Sequence, residues 1–400
     1  MTGKKCLNLF VTVGFVFCLT INFMGCNNPK TITDYPGNEL VSDNINETEE
    51  DIVNVEKETD YYMDDEEELD DFMPNDYAFD GQGNFIYNPV ALRPGLANGY
   101  RNKPEFLEMA KQIMLAVDQG ESMLQLKVDV QIDEYDFEEA LKIACLSNPC
   151  VYAAKFETED YHTFTIKYPD YFGSLDEHGQ VDRDNYIDDD KNFSAEMDEF
   201  KSFVNDVIEE NVNYQDNDME NARRVYKYLV ENLYIEDKDS NYYQYNPDST
   251  TGRPFLHIDV VRNLKNDRLY LHEVIKLYQF ILTQLNIYTV LGYLGGEPAL
   301  DRYKPLLEKT DFMTGFDCVV VRYDGVDYLC NLYFDYLDYH NFPMYDNDTE
   351  CHCCYFAIGK ETCRKTYYIE TVGYSGDMEY SDYLLFGEPK VDYPFDDRVQ

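Results

Sequence analysis

The pattern of apolar and polar positions is most regular between Asp259 and Asp335. Within NDRLYLHEVIKLYQFILTQLNI, Leu271, Val274, Ile275, Tyr278, Ile281, Leu282 and Leu285 recur at three- and four-residue steps, which predicts a helix with one apolar face. IYTVLGYL follows directly and ends at Gly295-Gly296, and its β-branched and aromatic content predicts a buried strand. In CVVVRYDGVDYLCNLYFD, Asp324-Gly325 separates two alternating runs and predicts a two-residue hairpin turn. That register pairs Tyr323 with Val326, Arg322 with Asp327 and Cys318 with Asn331. Strand alternation then sets Phe316, Cys318, Asn331 and Tyr333 on one face.

Earlier in the chain, Lys103 to Asp170 reads as helix, strand, helix and two strands. Phe106, Ala110, Ile113 and Met114 form the first helical face, and MLQLKVDVQI alternates with period two. Phe137, Ala140, Leu141 and Ala144 form the second helical face, which Asn148-Pro149 should stop. VYAAKFE and HTFTIKYP then read as a hairpin. Tyr171 to Asn192 is acidic and reads as a surface connection. Ser194 is the expected N-cap of a helix carrying Phe200, Phe203, Val204 and Val207. Ala222, Val225, Tyr226, Leu229, Val230 and Leu233 mark the next helix, and Ser240 to Pro254 a Tyr-rich loop.

The helix–strand–hairpin order resembles the transglutaminase-like proteins of the papain-like cysteine superfamily. There a Cys starts a buried helix, a His opens a strand, and an Asp or Asn sits on the next strand. The family's helix ends in a Leu-Gly-Ile-like phrase, matched here by Leu285-Asn286-Ile287, and Asn232-Leu233-Tyr234 is close to its Asn-x-x-Tyr-like phrase. The family's spacing, counted back from Ile287, puts the nucleophile position at Leu271; counted from Asp324-Gly325, it puts the His position at Phe316 and the acid position at Asn331. No cysteine lies between Val151 and Asp317, so no shift of register supplies a thiol. A triad needs a nucleophile, a base and a group orienting that base. The resemblance therefore implies an α+β fold, a transglutaminase-like core of helices packed on an antiparallel sheet, preceded by a small αβ module, with the triad lost. The one catalytic alternative is a rearranged Cys318–His272 dyad, although a strand thiol lacks the helix N-terminus that activates a cysteine.

At the other end, Lys4-Lys5, the apolar run Leu7 to Met24 and Phe23-Met24-Gly25-Cys26 resemble a bacterial lipoprotein signal. This implies cleavage before Cys26, lipid on its sulfur and a body outside the cytoplasm, anchored to the membrane. An uncleaved membrane anchor is the alternative. The stretch to Asn75 is acidic, with the unbroken run Asp64 to Glu68, and reads as a disordered spacer; it lacks the Gly and alternation of a calcium loop. The organisation expected is signal peptide 1–25, tether 26–100, αβ module 101–175, transglutaminase-like domain 194–345 and a Cys/Tyr-rich extension 346–400.

A net charge of −45 opposes nucleic acid and anionic lipid head groups as partners. The 37 tyrosines suit half-buried sheet positions or a sugar- or peptide-binding platform. Beyond the signal peptide and Cys26, cysteines stand at 145, 150, 318, 330, 351, 353, 354 and 363. Cys145 and Cys150 flank a Pro turn and could bridge, whereas Cys318 and Cys330 should face opposite sides. Cys351-His352-Cys353-Cys354 lacks the paired-knuckle spacing of structural zinc, so disulfides or buried thiols are expected there, with no metal and no cofactor. The reading is of a non-catalytic binding protein for a peptide, glycan or partner protein. The alternatives are an active thiol enzyme and a passive surface lipoprotein.

Overall fold

The computed structural model describes residues 74–75, 78–158, 160–170, 187–188, 190–235, 259–266, 269–294, 316–341, 351–359, 362, 372–374 and 392–395. Cys26, the signal peptide, residues 27–73 of the tether, the loop from Ser240 to Pro254 and Cys363 lie outside them, as do the side chains of Leu271, His272 and Phe316. No described helix is long and apolar enough to cross a membrane.

The fold is α+β. Helices α1 (Pro94–Gly99) and α2 (Pro104–Asp118) are followed by β1 (Met123–Gln125), α3 (Glu134–Ser147), a 3-10 turn (Pro149–Ala153), β2 (Lys155–Thr158) and β3 (Thr163–Lys167). The antiparallel order is β1-β3-β2, and Phe137 stacks on Phe164 at 4.1 Å. Helix α3 starts where the Asp133 carboxylate accepts the Asp136 N–H and ends at extended Asn148, the stop expected before Pro149. Two details differ from the sequence expectation. MLQLKVDVQI pairs only over its first three residues, because the Gln112 side chain takes the Lys127 N–H at 2.8 Å. Residues 151–153 form the 3-10 turn rather than the start of a strand.

The short pair β4 (Pro169–Asp170) and β5 (Ile187–Asp188) leads to α4 (Asp190–Asn211) and α5 (Asp218–Asn232). The start of α4 precedes the expected cap, so Ser194 lies inside the helix. Phe193, in its first turn, is buried and stacks on Tyr168 at 3.9 Å, which holds that turn against the sheet. Asn217 caps α5 by accepting the Glu220 N–H at 2.9 Å.

Next come α6 (Val260–Lys265), α7 (Leu271–Gln284), β6 (Thr289–Leu294), β7 (Phe316–Tyr323), β8 (Val326–Cys330), α8 (Leu332–Asn341) and β9 (Val372–Tyr374). The sheet runs β8-β7-β6-β9, with each neighbouring pair antiparallel. The hairpin register is the expected one, Arg322 opposite Asp327 and Tyr323 opposite Val326. Asp324 and Gly325 hold φ +50° and +71°, the two left-handed residues that match the twist of a tight hairpin. Arg322 grips Asp327 through two bonds of 2.6 and 3.0 Å and lies over the Tyr288 ring.

Helix α7 is buried on more than its expected stripe. Leu277, Phe280, Gln279, Thr283 and Gln284 are covered along with Val274, Ile275 and Tyr278. The cover comes from residues assigned above to the tether. Asn88 exchanges two hydrogen bonds with the Gln284 carboxamide, at 2.9 and 3.0 Å, and Tyr87 meets Phe280 edge-on. Leu92, Leu96, Ala97 and Tyr100 are buried in the same core, so the acidic spacer gives way to folded chain before residue 100. That core extends without a break from the αβ module through α4–α7 to the C-terminal extension, which supplies β9, Phe356 and Phe395. Module, core and extension fold around one interior rather than as separate domains.

Candidate functional site

Two of the three positions assigned by the resemblance, Phe316 and Asn331, fall at one end of the sheet. Phe316 opens β7 opposite Leu294, and Asn331 immediately follows β8, both away from the Asp324-Gly325 turn. Helix α7, which starts at Leu271, hands over to β6 at the turn end, where Thr289 pairs with Val321. Leu269 bridges Ile235, and the Ile235 N–H donates to the Tyr336 hydroxyl on α8 at 3.1 Å.

Asn331 differs from the sequence expectation. It and Tyr333 do not continue the strand face, because β8 stops at Cys330 and α8 begins at Leu332. The Asn331 side-chain oxygen accepts the Phe334 N–H at 3.1 Å, a helix cap, and its buried Nδ2 has no acceptor. The carboxamide therefore serves the backbone of α8. Cys318 is fully buried on β7, and the side chain of its suggested partner His272 lies outside the described residues.

Around these positions the structure buries two carboxylates that sequence reasoning did not single out. Glu273, in the first turn of α7, is fully buried. It accepts N–H bonds from Tyr270 at 3.0 Å and Asp259 at 2.9 Å, and one from the Asn263 carboxamide at 2.6 Å. Burial pushes its carboxyl up to about 8 against the pull of those donors. Asp259, also raised by burial, caps α6 and pairs with Arg262 at 3.1 Å. Arg262 in turn reaches Glu196 on α4 and the carbonyls of Tyr168 and Pro169. The network ties the module, α4, α6 and the start of α7 together. With Asp259, Arg262 and Glu273 all buried, it holds backbone rather than meeting a substrate.

Asp335 is the second carboxylate. It accepts the Tyr226 hydroxyl at 2.6 Å and the N–H groups of Cys354 and Tyr355 at 2.7 and 2.9 Å, and burial raises it to about 7. It fastens the cysteine segment 351–359 to α5 and α8. Its first-turn position on α8 gave a local signal, but its partners come from more than a hundred residues away on one side and from the extension on the other.

Cys145 and Cys150, offered as a bridge, are buried thiols with no disulfide between them. The chain between them closes α3 and enters the 3-10 turn, with the Asn148 carboxamide oxygen taking the Cys150 N–H at 3.0 Å. Among the described residues, no three His, Cys, Asp or Glu side chains gather as a metal site requires. Cys353 is buried while Cys354 is exposed.

The arrangement is an α+β protein in which a buried helix, α7, lies against an antiparallel sheet, with Phe316 and Asn331 at one end of that sheet. No protein-family model matches the chain, and no curated protein matches it.

Proposed function

We propose that this chain is a lipid-anchored, extracytoplasmic protein with a transglutaminase-like core that has lost its Cys-His-Asp triad and acts by binding a peptide, glycan or partner protein. One observation supports the reading: Leu271 starts a buried helix, Phe316 starts a strand and Asn331 follows the next strand, in the order the resemblance requires, and none of the three can supply a nucleophile or base. Two local features support it further. Asn286 adopts φ +59° where the family phrase has Gly, and the Asp-Gly hairpin holds the strand that bears the His position in register. The lipid on Cys26 rests on the signal-like N-terminus alone.

The test is to incubate the purified protein with amine donors, glutamine-containing peptides and a thiol-directed probe. No turnover and no labelling of Cys318 are expected. Turnover abolished by Cys318→Ser would replace the binding role with a thiol enzyme.

A further inference from the structure

The cysteine segment 351–354 is used by neither the proposed binding role nor the triad positions. Its backbone is pinned on both sides: the Cys351 N–H donates to Glu231 at 2.6 Å, and the Cys354 and Tyr355 N–H groups donate to Asp335. Between these anchors Cys353 takes a left-handed φ of +51°, which folds the short loop back on itself. The Cys351 and Cys353 sulfurs consequently lie 3.9 Å apart, and the Cys353 N–H points at the Cys351 sulfur at 3.3 Å.

We propose that Cys351 and Cys353 form a reversible dithiol–disulfide pair that exchanges with small or protein-borne disulfides. The sulfurs need close only about 2 Å to reach bonding distance, within reach of side-chain rotation on a fixed backbone. Cys351 is assigned as the attacking thiol because its sulfur is the one that accepts the Cys353 N–H. It attacks one sulfur of the oxidant disulfide and expels one thiolate, leaving a mixed disulfide. Cys353 then attacks the Cys351 sulfur and expels the second thiolate. The two cysteines lose two electrons and two protons, and the oxidant becomes two thiols. Because the closed loop spans only three residues, the bond removes little chain entropy and forms a small, strained ring. Such a bond is readily reduced again, which makes the pair an exchange centre rather than a staple. The hydrogen bond with the neighbouring Cys353 thiol, and then burial, push the Cys351 thiol up, so exchange quickens as pH rises.

The choice of partner is a real one, because Cys330 accepts the Ala357 N–H at 3.4 Å nearby and Cys354 is exposed next door. The full-length protein, reduced and then equilibrated in graded mixtures of reduced and oxidised glutathione, is alkylated and weighed intact, and its peptides are sequenced by mass spectrometry. Two fewer alkylated thiols are expected as the mixture becomes oxidising, with a Cys351–Cys353 link read directly in the unsubstituted protein. The loss should persist in Cys330→Ser and Cys354→Ser. Cys353→Ser should instead trap one glutathione on Cys351, and Cys351→Ser should give neither product. The proposal is overturned if both thiols stay alkylated in the most oxidising mixture, if the loss survives Cys351→Ser, or if Cys330→Ser removes it. The peptide link, read without any substitution, separates a true loss of pairing from a variant that fails to fold.

Discussion

At the exit of α7, Asn286 holds the left-handed conformation that closes the helix, while its side-chain oxygen takes the Asn75 carboxamide at 2.7 Å. Asn286→Ala should cost about 1–2 kcal/mol in denaturant unfolding, since Ala has neither the local bonding nor the tolerance for that φ. Asn286→Gly should recover the backbone part and leave only the lost bond to Asn75. Arg93 presents the opposite situation. It is 4% exposed, its Nη1 has no acceptor, and no carboxylate among the described residues pairs with it. A buried, unpaired charge is costly, so Arg93→Met should raise stability by about 1 kcal/mol or more, read as a higher denaturation midpoint. The sequence touches Asn286 only through the resemblance, as the middle of Leu285-Asn286-Ile287 where the family phrase has Gly. Sequence reasoning missed Glu273, which looks like an ordinary first-turn helix acid. Its burial depends on Asp259 and Asn263, brought in by a different element.

The elements most legible in the sequence are those whose signal is complete within a few residues. The Asp324-Gly325 turn, the β7–β8 register and the stop of α3 at Asn148 all follow from local chemistry and stand as expected. Helix α7 is legible as a helix but not in its surroundings, because the segment that helps cover its second face, though it carries Phe85, Ile86, Tyr87, Val90 and Leu92, is broken by Pro89 and Pro94 and shows no helical or strand period beside the acidic spacer. Asn88, Tyr87 and Leu92 reveal their role only by what they meet. The end of β8 was misread for a related reason: Asn331 suits both a strand and a helix cap, and α8 claims it. This gives an element-scale prediction. A chain beginning at residue 74 should unfold cooperatively near the full-length midpoint. One beginning at residue 101 should be strongly destabilised or fail to fold, because α7 loses the contacts to Tyr87 and Asn88. Circular dichroism melts of the two truncations distinguish this from a free-standing module.

Across the whole molecule, Arg262 and the continuous core bind what the sequence divides into module, domain and extension. Charge acts at this scale too. Glu273 and Asp335 hold carboxyls raised by burial to about 8 and about 7, above their ordinary range. Both bind a proton in the folded state that the unfolded chain has released once pH exceeds about 4–5. Their contribution is therefore full only below about pH 4 and falls steadily as pH rises, until it is gone above 7 and 8, together on the order of a few kcal/mol. Self-repulsion from the net charge of −45 grows in the same direction. The melting temperature should thus be higher near pH 5 than near pH 8. Added salt should narrow the gap by screening the surface charge but not close it. A melting temperature that rises from pH 5 to pH 8 would contradict this account. The proposed kinship is tested most directly by restoring the family's chemistry to positions 271 and 316. In the double variant Leu271→Cys with Phe316→His, the rate of alkylation at position 271 is followed against pH by peptide mapping. A helix-start thiol facing an imidazole should react about tenfold faster at neutral pH than in Leu271→Cys alone, with its titration moved to lower pH. Identical rates and identical pH profiles in the two variants would mean that these positions do not face one another, and the kinship with the thiol enzymes would fall.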